Sequence, residues 1–428
     1  MSGKQDNPKD QPVRPDPFFS EIPEGPLSAS YPTPEQIGRY RILELLGEGG
    51  CGLVYLAEQQ RPMKRRVALK VIKPGMDSKQ VIARFEAERQ ALALLDHPNI
   101  AHVYDTGVTE AGRPYFVMEY VQGLPLTEHC DRQKLTIAER LQLFLSICQA
   151  VEHAHSKAII HRDLKPSNIL VSIQGDQAIP KIIDFGIAKA VSQPLTEQTL
   201  YTQQGQLIGT PEYMSPEQAD LANPDIDTRS DVYSLGVVLY ELLTGVLPID
   251  TDTLRKAGLA AMRQVIREED PKTPSTRFTA LGEEAKAIAQ RRCTDIKNLA
   301  KCLNRELDWI PLKALRKERT RRYRSASELG DDISNYLEGR PLIAGPESVR
   351  YRVRKFVKRN KISVSTIAII LLTIILAMAV ILKFYSDTKI LAESQRRSLY
   401  FKNISLVDEM YKSRPLSGAI ELFTLQKP

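Results

Sequence analysis

Ile160-His161-Arg162-Asp163-Leu164-Lys165-Pro166-Ser167-Asn168-Ile169-Leu170, followed by Lys181-Ile182-Ile183-Asp184-Phe185-Gly186, decides how this chain is read. Apolar, strand-like runs alternate there with polar turns. The turns carry two carboxylates (Asp163 and Asp184), an amide (Asn168) and a lysine (Lys165). Such a set suits phosphoryl transfer. One carboxylate takes the proton of an acceptor hydroxyl, the other joins the amide in holding a metal ion, and the cation balances the moving phosphate. An Asp or Asn in a turn also caps helices and forms Asx turns. That accounts for either residue singly, but not for the ordered set.

Upstream, Leu46-Gly47-Glu48-Gly49-Gly50-Cys51-Gly52-Leu53-Val54-Tyr55 joins two strand-like segments, the first starting near Tyr40 and Ile42. Glycines in such a turn let backbone N–H groups approach phosphates, because no Cβ intervenes. Dinucleotide-binding units share the spacing but place a helix after the glycines, whereas Leu53-Val54-Tyr55-Leu56 reads as strand. The next apolar run, Val67-Ala68-Leu69-Lys70-Val71-Ile72, contains a lysine, which is costly to bury without a paired charge. Candidate partners are Glu86 and Glu88, in a helical run over 81–95 whose apolar face includes Leu92, Leu94 and Leu95. Charge alone does not choose between them.

The order G-x-G-x-x-G-x-V, V-A-x-K, H-R-D-L-x-x-x-N and D-F-G resembles that of Hanks-type (eukaryotic-like) bacterial serine/threonine protein kinases with a transmembrane segment. The resemblance covers about residues 40–338. It implies an α+β bilobal protein-kinase fold, with a small β-rich N-lobe (about 40–121), a larger helical C-lobe (about 122–338), and ATP between them.

The nucleotide-binding set it implies is Leu46, Gly47, Glu48, Gly49, Gly50, Cys51, Gly52, Leu53, Val54, Ala68, Lys70, Glu119, Val121 and Leu170. Spacing to His97-Pro98-Asn99-Ile100 favours Glu88 as the residue that holds Lys70 toward the phosphates. Asn168 and Asp184 are implied to hold Mg2+ (or Mn2+), Asp163 to accept the hydroxyl proton, and Lys165 to steady the γ phosphate. Tyr115-Phe116-Val117-Met118-Glu119-Tyr120-Val121 resembles the hinge between lobes, with backbone contacts to adenine at Glu119 and Val121 and with Met118 behind the base. Asp231 is implied to anchor the catalytic loop from below. Glu217 is implied to pair with Arg322, with Arg321 and Arg324 as alternatives.

Lys165 and the Gly209-Thr210-Pro211 run resemble the Ser/Thr rather than the Tyr branch. Two positions depart from the family pattern: Ser215 stands where Ala precedes Pro-Glu, and Cys51 stands at a loop tip that commonly carries a large residue. The polar span 190–206 matches an activation loop. Among Thr196, Thr199, Tyr201 and Thr202, Thr202 and then Thr199 are the favoured phosphosites, with Arg162 as the charge partner.

Further along, Asp231-Val232-Tyr233-Ser234-Leu235-Gly236-Val237-Val238-Leu239-Tyr240-Glu241-Leu242-Leu243-Thr244-Gly245 predicts a buried helix stopped by glycine. An amphipathic helix is expected over 141–155, and mixed-charge helices over 249–310. Asp308-Trp309-Ile310 resembles the C-lobe end of membrane-bound bacterial kinases.

No charge falls between Lys361 and Lys383, so 362–382 is 21 residues of uninterrupted apolar and small polar sequence. As helix this spans roughly 31 Å, close to a bilayer core of about 30 Å. Arg350, Arg352, Arg354, Lys355, Lys358, Arg359 and Lys361 precede it in a basic linker over 339–361, whereas Lys383 and Lys389 follow with Asp387 between them. The positive-inside rule then places the kinase in the cytoplasm, the basic run on anionic lipid, and the tail 383–428 outside as at most a small helical stub. Residues 1–36, rich in Pro, Asp, Gln and Ser, predict a disordered tail without a secretory signal.

The formal charge of +7 is concentrated at 313–324 and 350–361 with few interleaved aromatics, which argues against a nucleic-acid partner. Five widely spaced cysteines without a CxxC pair suggest neither a disulfide framework nor a zinc site. The expected partners are proteins with Ser/Thr acceptors, membrane lipid, and a second copy of the chain for trans-autophosphorylation. The competing expectation is a membrane-bound pseudokinase scaffold, which the complete set Lys70, Asp163, Asn168 and Asp184 disfavours.

Overall fold

The computed structural model describes residues 34–49, 52–72, 94–185, 211–220, 225–249 and 258–413. Glu86, Glu88, Gly50, Cys51, Gly186 and the four candidate phosphosites lie outside the described residues. The chain divides into two compact units, Met1–Asp331 and Asp332–Pro428.

The first unit begins with an antiparallel sheet. Its strands are β1 (Gln36–Ile37), β2 (Tyr40–Glu48), β3 (Gly52–Gln59), β4 (Arg65–Ile72), β5 (Val103–Val108) and β6 (Pro114–Glu119), in the spatial order β1-β2-β3-β4-β6-β5. Alternation sorts each strand into two faces. Val67, Leu69 and Val71 of β4 join Tyr40, Leu53, Tyr55 and Val117 in one core. Ala68 and Lys70 therefore point to the other face, with Ala68 opposite Met118 and Lys70 opposite Phe116. The turn between β2 and β3 is closed by Gly49 N–H donating to the Gly52 carbonyl at 2.9 Å. A Cβ at Gly52 would sit 2.3 Å from the Val71 carbonyl oxygen, so only glycine lets β3 start this close to β4.

A second sheet, ordered β7-β8-β9, contains β7 (Leu124–Pro125), β8 (Ile169–Gln174) and β9 (Gln177–Ile182). The first sheet's flank is tied to it. Ile182 N–H donates to the Asn99 carbonyl at 2.8 Å, and Ala101 N–H donates to the Ile182 carbonyl at 2.9 Å.

The helices among the described residues up to 337 are α1 (Leu126–Arg132), α2 (Ile137–Ser156), α3 (Pro216–Ala219), α4 (Thr228–Thr244), α5 (Gly258–Glu268), α6 (Pro274–Thr279), α7 (Glu284–Gln290), α8 (Ile296–Cys302), α9 (Asp308–Ala314) and α10 (Ala326–Leu337). Helix α2 starts four residues before the apolar pattern suggests. Thr136 and Glu139 form a reciprocal capping box there, a T-x-x-E signature present in the sequence. Helix α4 is buried almost throughout and stops at Gly245, whose φ of +77° suits glycine. Its last turn is capped by buried Arg292, which donates to the carbonyls of Leu242 and Leu243 at 2.8 Å each.

In the second unit, Asp332 accepts the N–H groups of Ile343 (2.5 Å) and Ala344 (2.8 Å), which folds that segment back. Helix α11 (Val349–Arg359) and helix α12 (Lys361–Ser413) follow. The expected stub after 382 is corrected here. The helix runs on without a break to Ser413, because neither Gly nor Pro interrupts 361–413.

Candidate active site

Asp231, in the first turn of α4, is fully buried and organises the segment between α2 and β8. Its carboxylate accepts the backbone N–H groups of His161 and Arg162, each at 2.8 Å, and lies 2.8 Å from His155 Nε2. Burial pushes this carboxyl up. The His155 bond, the neighbouring imidazoles and the His161 amide outweigh burial and hold it below the usual carboxylate range. Arg162 has φ of +70°, unusual for a non-glycine residue. Its N–H is held by Asp231, and its carbonyl accepts Gln218 Nε2 at 2.7 Å. Both sides of the strained residue are thus fixed, as retained strain requires.

That strain presents Asp163, Lys165 and Asn168 together. Lys165 Nζ lies 2.9 Å from Asp163 Oδ2. Asn168 Nδ2 donates to the Asp163 carbonyl at 2.7 Å and to its Oδ2 at 3.1 Å. An asparagine whose nitrogen is engaged in this way offers its oxygen as the remaining acceptor. His161 ties this loop to the second motif. Its Nδ1 accepts Asp163 N–H at 3.2 Å, so Nε2 carries the proton and donates to the Ile183 carbonyl at 3.0 Å. Its ring meets Phe185 edge-on at 4.7 Å.

Asp184, with φ of +64°, turns its carboxylate to Lys70 Nζ at 2.7 Å. Both side chains are largely buried, and the contact compensates each charge. The expected Lys70–Glu88 pair lies outside the described residues. Among the described residues no group of three or more His, Cys, Asp or Glu could hold a metal alone. One carboxylate and one amide oxygen, completed by substrate phosphates, are the hard donors that Mg2+ or Mn2+ prefers.

Gly47 pairs with Val54 across the β2–β3 turn, with Leu46 half-buried beside it. Leu53 belongs instead to the core on the opposite strand face, so its side chain does not share the face of Ala68 and Lys70. Any contact of Leu53 with nucleotide would therefore come from its backbone, at the end of the glycine turn. At the hinge, Glu119 N–H donates to the His102 carbonyl at 2.8 Å, leaving the Glu119 carbonyl as the backbone group to offer a base. The Glu119 carboxylate is 2.8 Å from Lys181 Nζ, linking the hinge strand to β9, the strand that leads to Asp184. Val121 is buried, and Leu170, half-buried, lies opposite Lys181 in β8–β9.

Of the three candidate arginines, Arg322 takes Glu217. The two make paired bonds of 2.7 Å each, and Arg322 also donates to the carbonyls of Arg316, Lys317 and Arg229. Burial alone would raise the Glu217 carboxyl, but the Arg322 fork holds it low. Replacing Arg322 by lysine is expected to cost about 2 kcal/mol in urea unfolding, because an ammonium has at most three donors and no fork. An unchanged denaturation midpoint would show that the fork is dispensable.

His155, Gln218 and Lys181 escaped the sequence reading. Each acts on a partner 56 or more residues away, and no local signature marks it.

A family model described as Protein kinase domain matches residues 40–306. The serine/threonine-protein kinase PknB of Mycobacterium leprae is 37% identical over 314 residues, which cover 72% of this chain and 44% of that protein. PknB of Mycolicibacterium smegmatis is 40% identical over 316 residues, with coverage of 72% and 44%. The chain therefore spans less than half the length of these relatives. A crystal structure of a double mutant of the Mycobacterium tuberculosis PknI kinase domain superposes with a TM-score of 0.50 at 25% identity, covering 71% of this chain and 97% of that one. The two-sheet frame, the Asp231-anchored loop and a match over more than half the sequence agree: this chain belongs to the protein kinase domain family.

Proposed function

We propose that the chain is a membrane-anchored serine/threonine protein kinase that transfers the γ-phosphate of ATP to protein hydroxyls. The observation that carries this reading is the meeting of two groups of residues. Asp163, Lys165 and Asn168 sit on one strained loop, and His161 couples that loop to the Lys70–Asp184 pair. Asp163 is placed to take the acceptor proton, and Lys165 to balance charge beside it. Lys70 can turn from Asp184 to the substrate's phosphates. Asn168 and Asp184 would hold Mg2+ or Mn2+, which when bound neutralises phosphate charge. A scaffold without phosphotransfer would not need this complete set. The printed names of the PknB relatives support the Ser/Thr branch.

The experiment is incubation of the detergent-solubilised full chain with radiolabelled ATP and magnesium, followed by phosphoamino-acid analysis. Label on Ser or Thr is expected for the wild type and none for Lys70→Met. Nucleotide binding without transfer by the wild type would replace the enzyme by a scaffold. Mass spectrometry of the labelled chain should find phosphate on Thr202 or Thr199, the trans-autophosphorylation expected of a transient homodimer.

Helix α12 supports the anchor. Its apolar window is long enough to cross a bilayer, and none of it is buried within the structure. Seven basic residues from Arg350 to Lys361 precede it, which favours a cytoplasmic kinase unit. Protease added outside intact cells should spare that unit, and its digestion would reverse the orientation.

A further inference from the structure

The helix before the apolar rod has a surface of its own. In α11 the sequence is Val349-Arg350-Tyr351-Arg352-Val353-Arg354-Lys355-Phe356-Val357-Lys358-Arg359. At about 100° per residue, Val349, Val353, Phe356 and Val357 fall within one arc of about 100°. All four are exposed, at 76%, 53%, 55% and 40%. Arg350 borders this arc on one side, and Arg352 and Arg359 border it on the other. On the far side, Tyr351 accepts Leu342 N–H at 3.3 Å and lies against Gly345, which ties that face of α11 to the preceding segment. Beside the arc is a groove of about 350 Å3 whose floor includes Pro341, Val353 and Phe356 and whose rim includes Arg352, Lys355 and Arg359. Helix α11 ends at Asn360, with φ −108° and ψ 43°, and α12 starts at the next residue.

We propose that α11 lies within the surface of an anionic phospholipid bilayer, apolar arc inward, with the basic rim of the groove holding lipid phosphates. The inference rests on reading α12 as membrane-spanning, and it adds that the preceding helix is a second, charge-selective contact with the same bilayer. A merely solvated basic helix has no use for four exposed apolar side chains in one arc. A second copy of α11 is a poor occupant, because six like charges in eleven residues repel another such helix. Anionic lipid satisfies both faces at once: acyl carbons take the Val and Phe side chains, and headgroup phosphates take the arginines. The break at Asn360 lets the chain pass from a helix in the surface to one that crosses it.

The test uses full-length Phe356→Trp protein, reconstituted in neutral bilayers or in bilayers containing phosphatidylglycerol, each with lipids brominated near the top of the chain. Unsubstituted protein serves as the blank for Trp309. The new indole is expected to be quenched about two-fold more strongly in the anionic bilayer, and combined Arg352→Glu, Lys355→Glu and Arg359→Glu substitutions should remove the difference. Protein that floats with the bilayers while the indole stays unquenched in both overturns the inference and leaves the anchor standing. Equal quenching in neutral and anionic bilayers overturns the role of charge. An indole equally shielded in detergent means that protein covers the arc, which also overturns it. Protein that does not float with bilayers removes the anchor and the inference together.

Discussion

Asp163→Asn protein is expected to transfer phosphate about 10²–10⁴-fold more slowly than wild type and to bind ATP within about two-fold of the wild-type affinity. The substitution is nearly isosteric. Asp163 Oδ2 accepts from Asn168 at 3.1 Å and from Lys165 at 2.9 Å, and an asparagine oxygen can still accept from either. Its backbone contacts, N–H to His161 and carbonyl from Asn168, do not depend on the side chain. The loop is therefore expected to keep its shape. What disappears is the negative charge facing Lys165, one acceptor oxygen and, with them, the ability to take a proton. The measurement is kcat on a Ser/Thr peptide, with nucleotide affinity measured separately by titration. A fall in kcat at constant nucleotide affinity assigns Asp163 to the chemical step. Wild-type turnover by the variant would mean that another group accepts the proton, and the proposed role of Asp163 would be withdrawn.

This active site is legible in the sequence to an unusual degree because its chemistry is packed into short, contiguous turns. Asp163, Lys165 and Asn168 span six residues, and their separation in sequence is nearly their separation in space. Strand register carries Ala68 and Lys70 to a shared face by alternation, and the same rule takes Leu53 away from that face.

Long-range partners were less legible. Glu217 had three candidate arginines within four residues; the resemblance favoured Arg322, and the structure pairs Glu217 with it, its side chain fully enclosed. Lys70 had two candidate glutamates in sequence, both outside the described residues; its contact within them is Asp184, 114 positions away. The length of α12 was underestimated for another reason. A drop in hydropathy after Leu382 marks where a bilayer would end, but a helix ends only where its backbone bonds are broken. Residues 383–413 have good helix formers and no breaker.

Removing the Asp231 side chain is expected to have the largest effect on folding. Asp231→Ala strips partners from two backbone N–H groups and from His155 in a fully buried place. Breaking one side of a buried charge network costs about 3–5 kcal/mol. At roughly 2–4 °C per kcal/mol, the melting temperature should fall by about 10 °C. Asp231→Asn keeps one acceptor and should lose about half as much.

The pH dependence follows from the same contacts. The folded-state carboxyl is held below its unfolded value, so its stabilisation is complete above the ordinary carboxylate range near pH 4 and is lost as pH falls through the lowered value. Wild type and Asp231→Asn should therefore converge in stability on the acid side and diverge toward neutrality. A gap that stayed constant with pH would show that the charge of Asp231 is not what holds the loop. Turnover separates positioning from bulk stability. Asp231 touches His161 and Arg162, the two residues before Asp163, so a loosened loop displaces Asp163 even in molecules that remain folded. A shift of about 1 Å at such a group costs on the order of 10²-fold in rate. Asp231→Asn, assayed well below its melting temperature, should lose kcat while nucleotide affinity stays near wild type, because Asp231 bonds directly to neither Lys70 nor the hinge.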